Sequence, residues 1–167
     1  LYGTQVSLLV GVCAVVVAGF IGAVVGLIAA FYGGWVDNVL MRIVDSFLSI
    51  PNLLFTLVVI GVFGPGLLTL IFVIGATNWV TYARVVRGEA LSVKERDFVK
   101  AARTIGVRDG VIMIRHLLPN VMSSFIVIST LSVATTIILE ASLSFLGLGI
   151  QPPTVSWGGM LSSGRDY

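Results

Sequence analysis

YARVVRGEALSVKERDFVKAARTIGVRDGVIMIRHLLPN, residues 82–120, decides the reading of this chain. It holds eight of the ten Lys and Arg residues and lies between long apolar segments. The sequence is 57% hydrophobic and 11% charged, with a mean hydropathy of +1.06. In such a background a basic island is either a membrane-surface loop or a docking site for a cytoplasmic partner. Soluble domains carry about a quarter of their residues as charges, and one of this size could not hide so much apolar surface in a single core. The bilayer is therefore the solvent for most of the chain, and the fold class is an all-α membrane protein.

Outward from the island, the apolar runs divide into about four spans, at roughly 6–31, 43–63, 67–86 and 121–139. The first alone is long enough, at about 1.5 Å per residue, to cross a ~30 Å hydrocarbon core. A loop covers 32–42, and Gly64-Pro65-Gly66 makes a tight turn. The 140–167 tail mixes apolar residues with Gly, Ser and Pro152-Pro153, composition suited to a short re-entrant or surface helix. Four spans put the 32–42 and 87–120 loops on one side. Nine of the ten basic residues, all but Arg165, then fall on that side or at its boundary. The positive-inside rule makes it cytoplasmic, and the tail extracytoplasmic. The net charge of +2 points to lipid or protein rather than nucleic acid, because the basic residues lie among spans. Cys13 is the one cysteine, which excludes an internal disulfide. The absence of an initiator Met and of a signal-peptide layout leads us to expect a fragment of a longer polypeptide.

Ala14, Ala18, Gly22, Gly26 and Ala30 place small residues at every fourth position along the first span. Such a seam lets a second helix approach closely, and Gly22 with Gly26 is a GxxxG pair.

Within the basic island, Ser92-Val93-Lys94-Glu95 matches a capping box. Phe98, Ala101, Ala102 and Ile105 then form one apolar stripe at i, i+3, i+4 and i+7, with Arg96, Lys100 and Arg103 opposite. Gly106 suits a left-handed helix end. Asp109 or Gly110 can open a second short helix, and Leu118-Pro119 leads into the last span. This helix–turn–helix could lie on anionic lipid or insert into a groove of a soluble protein. Lipid-surface helices present large Trp, Phe or Leu side chains. The mostly Ala face here favours docking.

The same residues resemble the EAA loop of bacterial ABC importer permeases: Glu-Ala-Ala, three residues, Gly, nine residues, an apolar residue, one residue, Leu-Pro. KAARTIGVRDGVIMIRHLLP supplies Ala101, Ala102, Gly106, Leu118 and Pro119 at that spacing, while Lys100 stands for Glu and His116 for the apolar residue. LEASLSFLGLGIQPPTVSWG, residues 139–158, and GGWVDNVLMRIVDSFLSIP, residues 33–51, are similar to the C-type subunit of the dipeptide, oligopeptide and nickel permeases. The resemblance implies a type I ABC importer transmembrane domain in the bacterial inner membrane. Six spans are usual there, so the first and last would be missing here. It further implies a second permease subunit, two cytoplasmic ATPases and an extracytoplasmic solute-binding protein. The ATPases would dock at Lys100, Ala101, Ala102, Gly106, Leu118 and Pro119, and di- or oligopeptides would be the cargo. No cofactor is expected in this chain. It lacks a GxxxxGK[ST] loop, so ATP and Mg belong to the partner ATPases and the chain is not itself an enzyme.

Polar groups inside spans are costly and default to functional candidates. Asn52, Asn78, Trp79 and Glu140 are accordingly the candidates for a translocation path, with a structural hydrogen bond as the simpler role for each polar one. Asp45 is a candidate of the same kind, placed with Glu140 near an interface where the cost falls, with a structural hydrogen bond or ion pair as the simpler role. Arg84 and Arg87 read as interfacial anchors. Trp35, Trp79 and Trp157 could be interface aromatics. His116 has no second His or Cys nearby to form a metal site, and no Ser or Thr has a base at a recognisable spacing. The competing reading is a membrane scaffold or anchor whose basic loop binds lipid.

Overall fold

The computed structural model describes residues 2–151 and 154–164, all helix or connection with no strand among them. Pro152, Pro153 and Arg165, which enter the tail and charge readings, lie outside the described residues. The helices are α1 (Tyr2–Tyr32), α2 (Gly34–Leu48), α3 (Asn52–Phe63), α4 (Leu67–Lys94), α5 (Asp97–Thr104) and α6 (Asp109–Val111). A π-helical turn (Ile112–Leu117), α7 (Leu118–Phe145) and α8 (Trp157–Gly164) follow. Among the described residues, three helical stretches are long and apolar enough to cross a membrane: α1, α4 and the run Asp109–Phe145; α2 and α3 count as a fourth only if taken together.

Three boundaries differ from the sequence reading. The 32–42 loop is largely helix, because Gly33 and Gly34, at φ 64° and 51°, turn the chain between α1 and α2 within two residues. Such positive φ is open to glycine at little cost. The 43–63 span is broken at Ser49–Pro51, where Pro51 has no N–H to donate and biases Ile50 away from helix. Alone, α3 is about 18 Å long, short of the hydrocarbon thickness. Finally, α4 continues to Lys94, so Ser92 sits in its last turn rather than capping α5. Continuation buries Ala90 and Val93. The cap of α5 is Arg96, extended at φ −71° and ψ 147°, without a side-chain bond.

The chain forms two compact units. One comprises Leu1–Ala18, Ile50–Asn78 and Ser129–Tyr167, cored by Val10, Ala14, Ile60, Leu70, Ile74 and Leu143. Its tail is tied down around Glu140, a fully buried carboxylate. Ser7 Oγ donates to one oxygen at 2.9 Å and Ser144 Oγ to the other at 2.7 Å. Each serine also accepts from the tail, Ser144 from Ile150 N–H and Ser7 from Trp157 N–H, both at 3.3 Å.

The second unit comprises Gly19–Ser49 and Trp79–Ile128. Here α1 meets α4 along the small-residue seam. A Cβ on Gly22 would collide with Tyr82 Cβ and sit 2.6 Å from Trp79 O. One on Gly26 would sit 2.6 Å from Ala83 O. Backbone contact this close requires glycine. Ala30 of the seam is fully buried in this unit, and Ala14 and Ala18 are buried in the other.

Candidate functional site

The candidate site is built on the ends of α1 and α4, on α5, and on the start of the Asp109–Phe145 helix. An eight-residue helix is not stable by itself, and α5 is held by three devices. Val99 and Ala102 enter the core formed by Leu27, Ala30, Val86, Val93, Ile112 and Leu117. Asp97 in its first turn and Arg103 in its last complement the helix dipole. Its end is a Schellman motif, in which Val107 N–H donates to Ala102 O at 3.1 Å and Gly106 N–H to Arg103 O at 3.0 Å. Gly106 supplies the required left-handed residue at φ 77°, and its Cβ position faces open space.

The stripe read from sequence splits. Ala102 is buried, whereas Phe98, Ala101 and Ile105 are exposed, Ile105 at 79%. Val99, outside the stripe, is the second anchor. The helix thus fixes one face to its own protein and offers a small and apolar face, ending in Gly106, to something else. Lys100 lies on the exposed side and pairs with Glu95 at 3.1 Å. Pro119 removes a donor just after the π-helical turn, in which Leu118 N–H reaches back to Met113 O. Asn120 Nδ2 donates to His116 O at 2.7 Å. Leu118 is half-buried against the core, and the helix runs on without a break into α7.

The basic residues are placed one by one. Arg87 grips Asp37 of α2 through two nitrogens, its Nη2 at 2.6 Å, and Arg84 meets Asp45. These arginines are therefore ion-pair partners and not simple interfacial anchors. Lys94 Nζ donates to the carbonyls of Ala30 and Phe31 at 2.8 and 2.7 Å, capping the last turn of α1. Arg103 lies over the Phe31 ring at 4.7 Å. With Lys100, five of the island's eight cations thus have a partner within the chain.

The path candidates separate. Asn52 Nδ2 donates to Asn78 Oδ1 at 3.2 Å, and Thr56 Oγ1 to Asn52 Oδ1 at 3.4 Å. Beside this pair, α3 and α4 frame an apolar groove of about 440 Å³ lined by Phe55, Val59, Phe63 and Phe72. Trp79 is buried, edge-on to Phe47. Glu140 is sealed with both oxygens occupied, where it fastens helices and tail. Sequence reasoning missed this cluster and the Lys94 cap, which join residues 133 and 64 positions apart and leave no local signature. Among the described residues no group of three His, Cys, Asp or Glu could hold a metal.

The profile of the family described as binding-protein-dependent transport system inner membrane component matches residues 22–165. The chain belongs to that family. The family consists of membrane permease subunits of ABC transporters, not themselves catalytic, and its fold is the type I importer transmembrane domain. A glutathione transport system permease protein of Escherichia coli is 44% identical over 165 residues, 99% of this chain and 54% of that protein. Its counterpart from Pectobacterium atrosepticum is 39% identical over 166 residues, 99% of this chain and 55% of that protein. A Brucella ovis protein carrying a peptide-permease name is 42% identical over 164 residues, 98% of this chain and 54% of that protein. The chain spans about half the length of these curated relatives.

Proposed function

We propose that this chain is membrane-spanning permease sequence of an ATP-driven, binding-protein-dependent importer of short peptides in a bacterial inner membrane. It forms the translocation path with a second permease subunit. Two cytoplasmic ATPases hydrolyse ATP with Mg, and an extracytoplasmic solute-binding protein delivers the cargo. The observation that carries this reading is the division of α5: Val99 and Ala102 anchor it, while Phe98, Ala101, Ile105 and Gly106 are presented outward. The glutathione and peptide names of the relatives support the cargo class. The exposed Asn52–Asn78 pair beside an apolar groove supplies amide donors and a place for apolar side chains. The lipid-anchor alternative is disfavoured by the permease family match and by the permease names of the relatives.

The test is Gly106→Cys, in a Cys13→Ser background, crosslinked to the co-expressed ATPase, together with peptide uptake by Gly106→Glu. We expect an ATP-dependent crosslink, and a Gly106→Glu permease that reaches the membrane but does not transport. Normal uptake by Gly106→Glu would remove the docking assignment.

A further inference from the structure

The end of α1, the end of α4 and the back of α5 border a shallow, open polar hollow of about 460 Å³, lined by Phe31, Tyr32, Lys94, Arg103, Val107 and Asp109. Two cations converge on it. Lys94 spends two of its three N–H donors on the Ala30 and Phe31 carbonyls, leaving one. Arg103 is held over the Phe31 ring through its π face. Neither residue is within ion-pair distance of Asp109, the one carboxylate among the described lining residues. Two like charges facing a shared space repel one another unless an anion sits between them. Arg103 presents a planar fork of donors matched to phosphate or carboxylate oxygens. Its helical position is opposite the Phe98–Ala101–Ile105 face, since at 100° per residue the two directions differ by about half a turn. Occupancy of the hollow would therefore not compete with docking at that face.

We propose that this hollow binds one phosphate-type anion, with Arg103 as the principal ligand and the remaining Lys94 donor as the second. Two sources share that chemistry: the headgroup of an anionic phospholipid and a soluble phosphate. The lipid source is favoured by position. The hollow lies where α1 ends, beside Tyr32 and close in sequence to Trp35, both well exposed, and such aromatics mark headgroup depth. The site is single and local, unlike a basic patch spread along a loop.

The test uses the full-length permease with its ATPase, delipidated in neutral detergent. Its thermal unfolding midpoint is followed against added phosphatidylglycerol, against inorganic phosphate, and against phosphatidylcholine as baseline. A rise with phosphatidylglycerol alone identifies the lipid source, and a rise with inorganic phosphate as well identifies the soluble one. Arg103→Gln should weaken the anion's apparent affinity about tenfold, the loss of one charge-assisted bond. Arg103→Lys should keep part of it, and Arg115→Gln should leave it unchanged. Asp109→Asn removes the opposing carboxylate and should tighten binding, a gain that a folding defect cannot mimic. The proposal is overturned if wild type responds to neither anion. It is also overturned if Arg103→Gln retains the full response, or if Asp109→Asn fails to tighten it.

Discussion

Replacing Gly22 by alanine tests whether α1 and α4 meet by backbone contact. The added Cβ would fall on Tyr82 Cβ, 2.6 Å from Trp79 O and 2.8 Å from Ala83 N. Ordinary contact begins at 3.4 Å, so the helices must separate by about an ångström, and no flexible side-chain tip is available to yield instead. Overpacking of this kind costs about 1–3 kcal/mol. Against it stands the gain of about 0.5–1 kcal/mol when a helix-interior Gly becomes Ala. The expected net is a destabilisation of about 0.5–2 kcal/mol. Gly88 on α4 is the control, since a Cβ there meets nothing within 4 Å. Gly88→Ala should therefore stabilise by about 0.5–1 kcal/mol. Reversible SDS titration in mixed micelles, followed by circular dichroism, measures both variants. Separation at Gly22 also draws α4 from α1, where Lys94 reaches the Ala30 and Phe31 carbonyls, so uptake should fall with stability. Equal stability of Gly22→Ala and Gly88→Ala would refute the close-contact argument.

Two further predictions follow from polar contacts. Glu140→Leu strips the acceptor from Ser7 and Ser144, leaving two buried O–H donors without an acceptor at about 1–3 kcal/mol each. Glu140→Gln keeps one acceptor and should be milder. Maleimide labelling of Met160→Cys, in a Cys13→Ser background, should accelerate more in the Leu variant; equal rates would exclude the cluster as the tail's fastening. A double-mutant cycle on Arg87 and Asp37, two-pronged and largely shielded, should give a coupling of about 1–3 kcal/mol. The cycle on Arg84 and Asp45, both about half exposed, should give under about 1 kcal/mol. Reversal of that order would contradict the burial difference.

The parts of the fold legible in the sequence are those with local causes. Apolar runs mark α1, α4 and α7, every fourth small residue marks the α1 seam, and Gly106 marks a helix end because no other residue adopts positive φ so cheaply. The failures also have causes. Ser92 and Glu95 form a plausible cap, but extending α4 buries Ala90 and Val93, and that tertiary gain overrides a local motif. The 43–63 run has span-like composition, yet Pro51 breaks it. A helical period shows which residues share a face, but not how wide a sector a neighbour covers. Ala102 could therefore turn inward while Phe98 and Ala101 stayed outside. Glu140 was legible as an expensive residue and illegible as to its partners, because Ser7 lies at the opposite end of the chain.

The division of α5 constrains how force could pass through it. Phe98 and Ile105 lie partly or mostly in the open, and burying such side chains contributes about 1.5–3 kcal/mol each. If α5 docks as proposed, an ATPase groove covering them would gain a few kcal/mol, enough to hold the helix but not to move it. Movement requires that the groove bind one permease conformation better than the other. The rigid side of α5 determines what then moves. Val99 and Ala102 share a core with Leu27 and Ala30 of α1, Val86 and Val93 of α4, and Val121 of α7. A displaced α5 must either leave that core, exposing buried apolar surface, or carry those helix ends with it. Interiors at crystal-like packing density favour the second course. Loosening the anchor should therefore uncouple ATP hydrolysis from transport while leaving docking intact, which makes Val99→Ala the informative companion to Gly106→Glu.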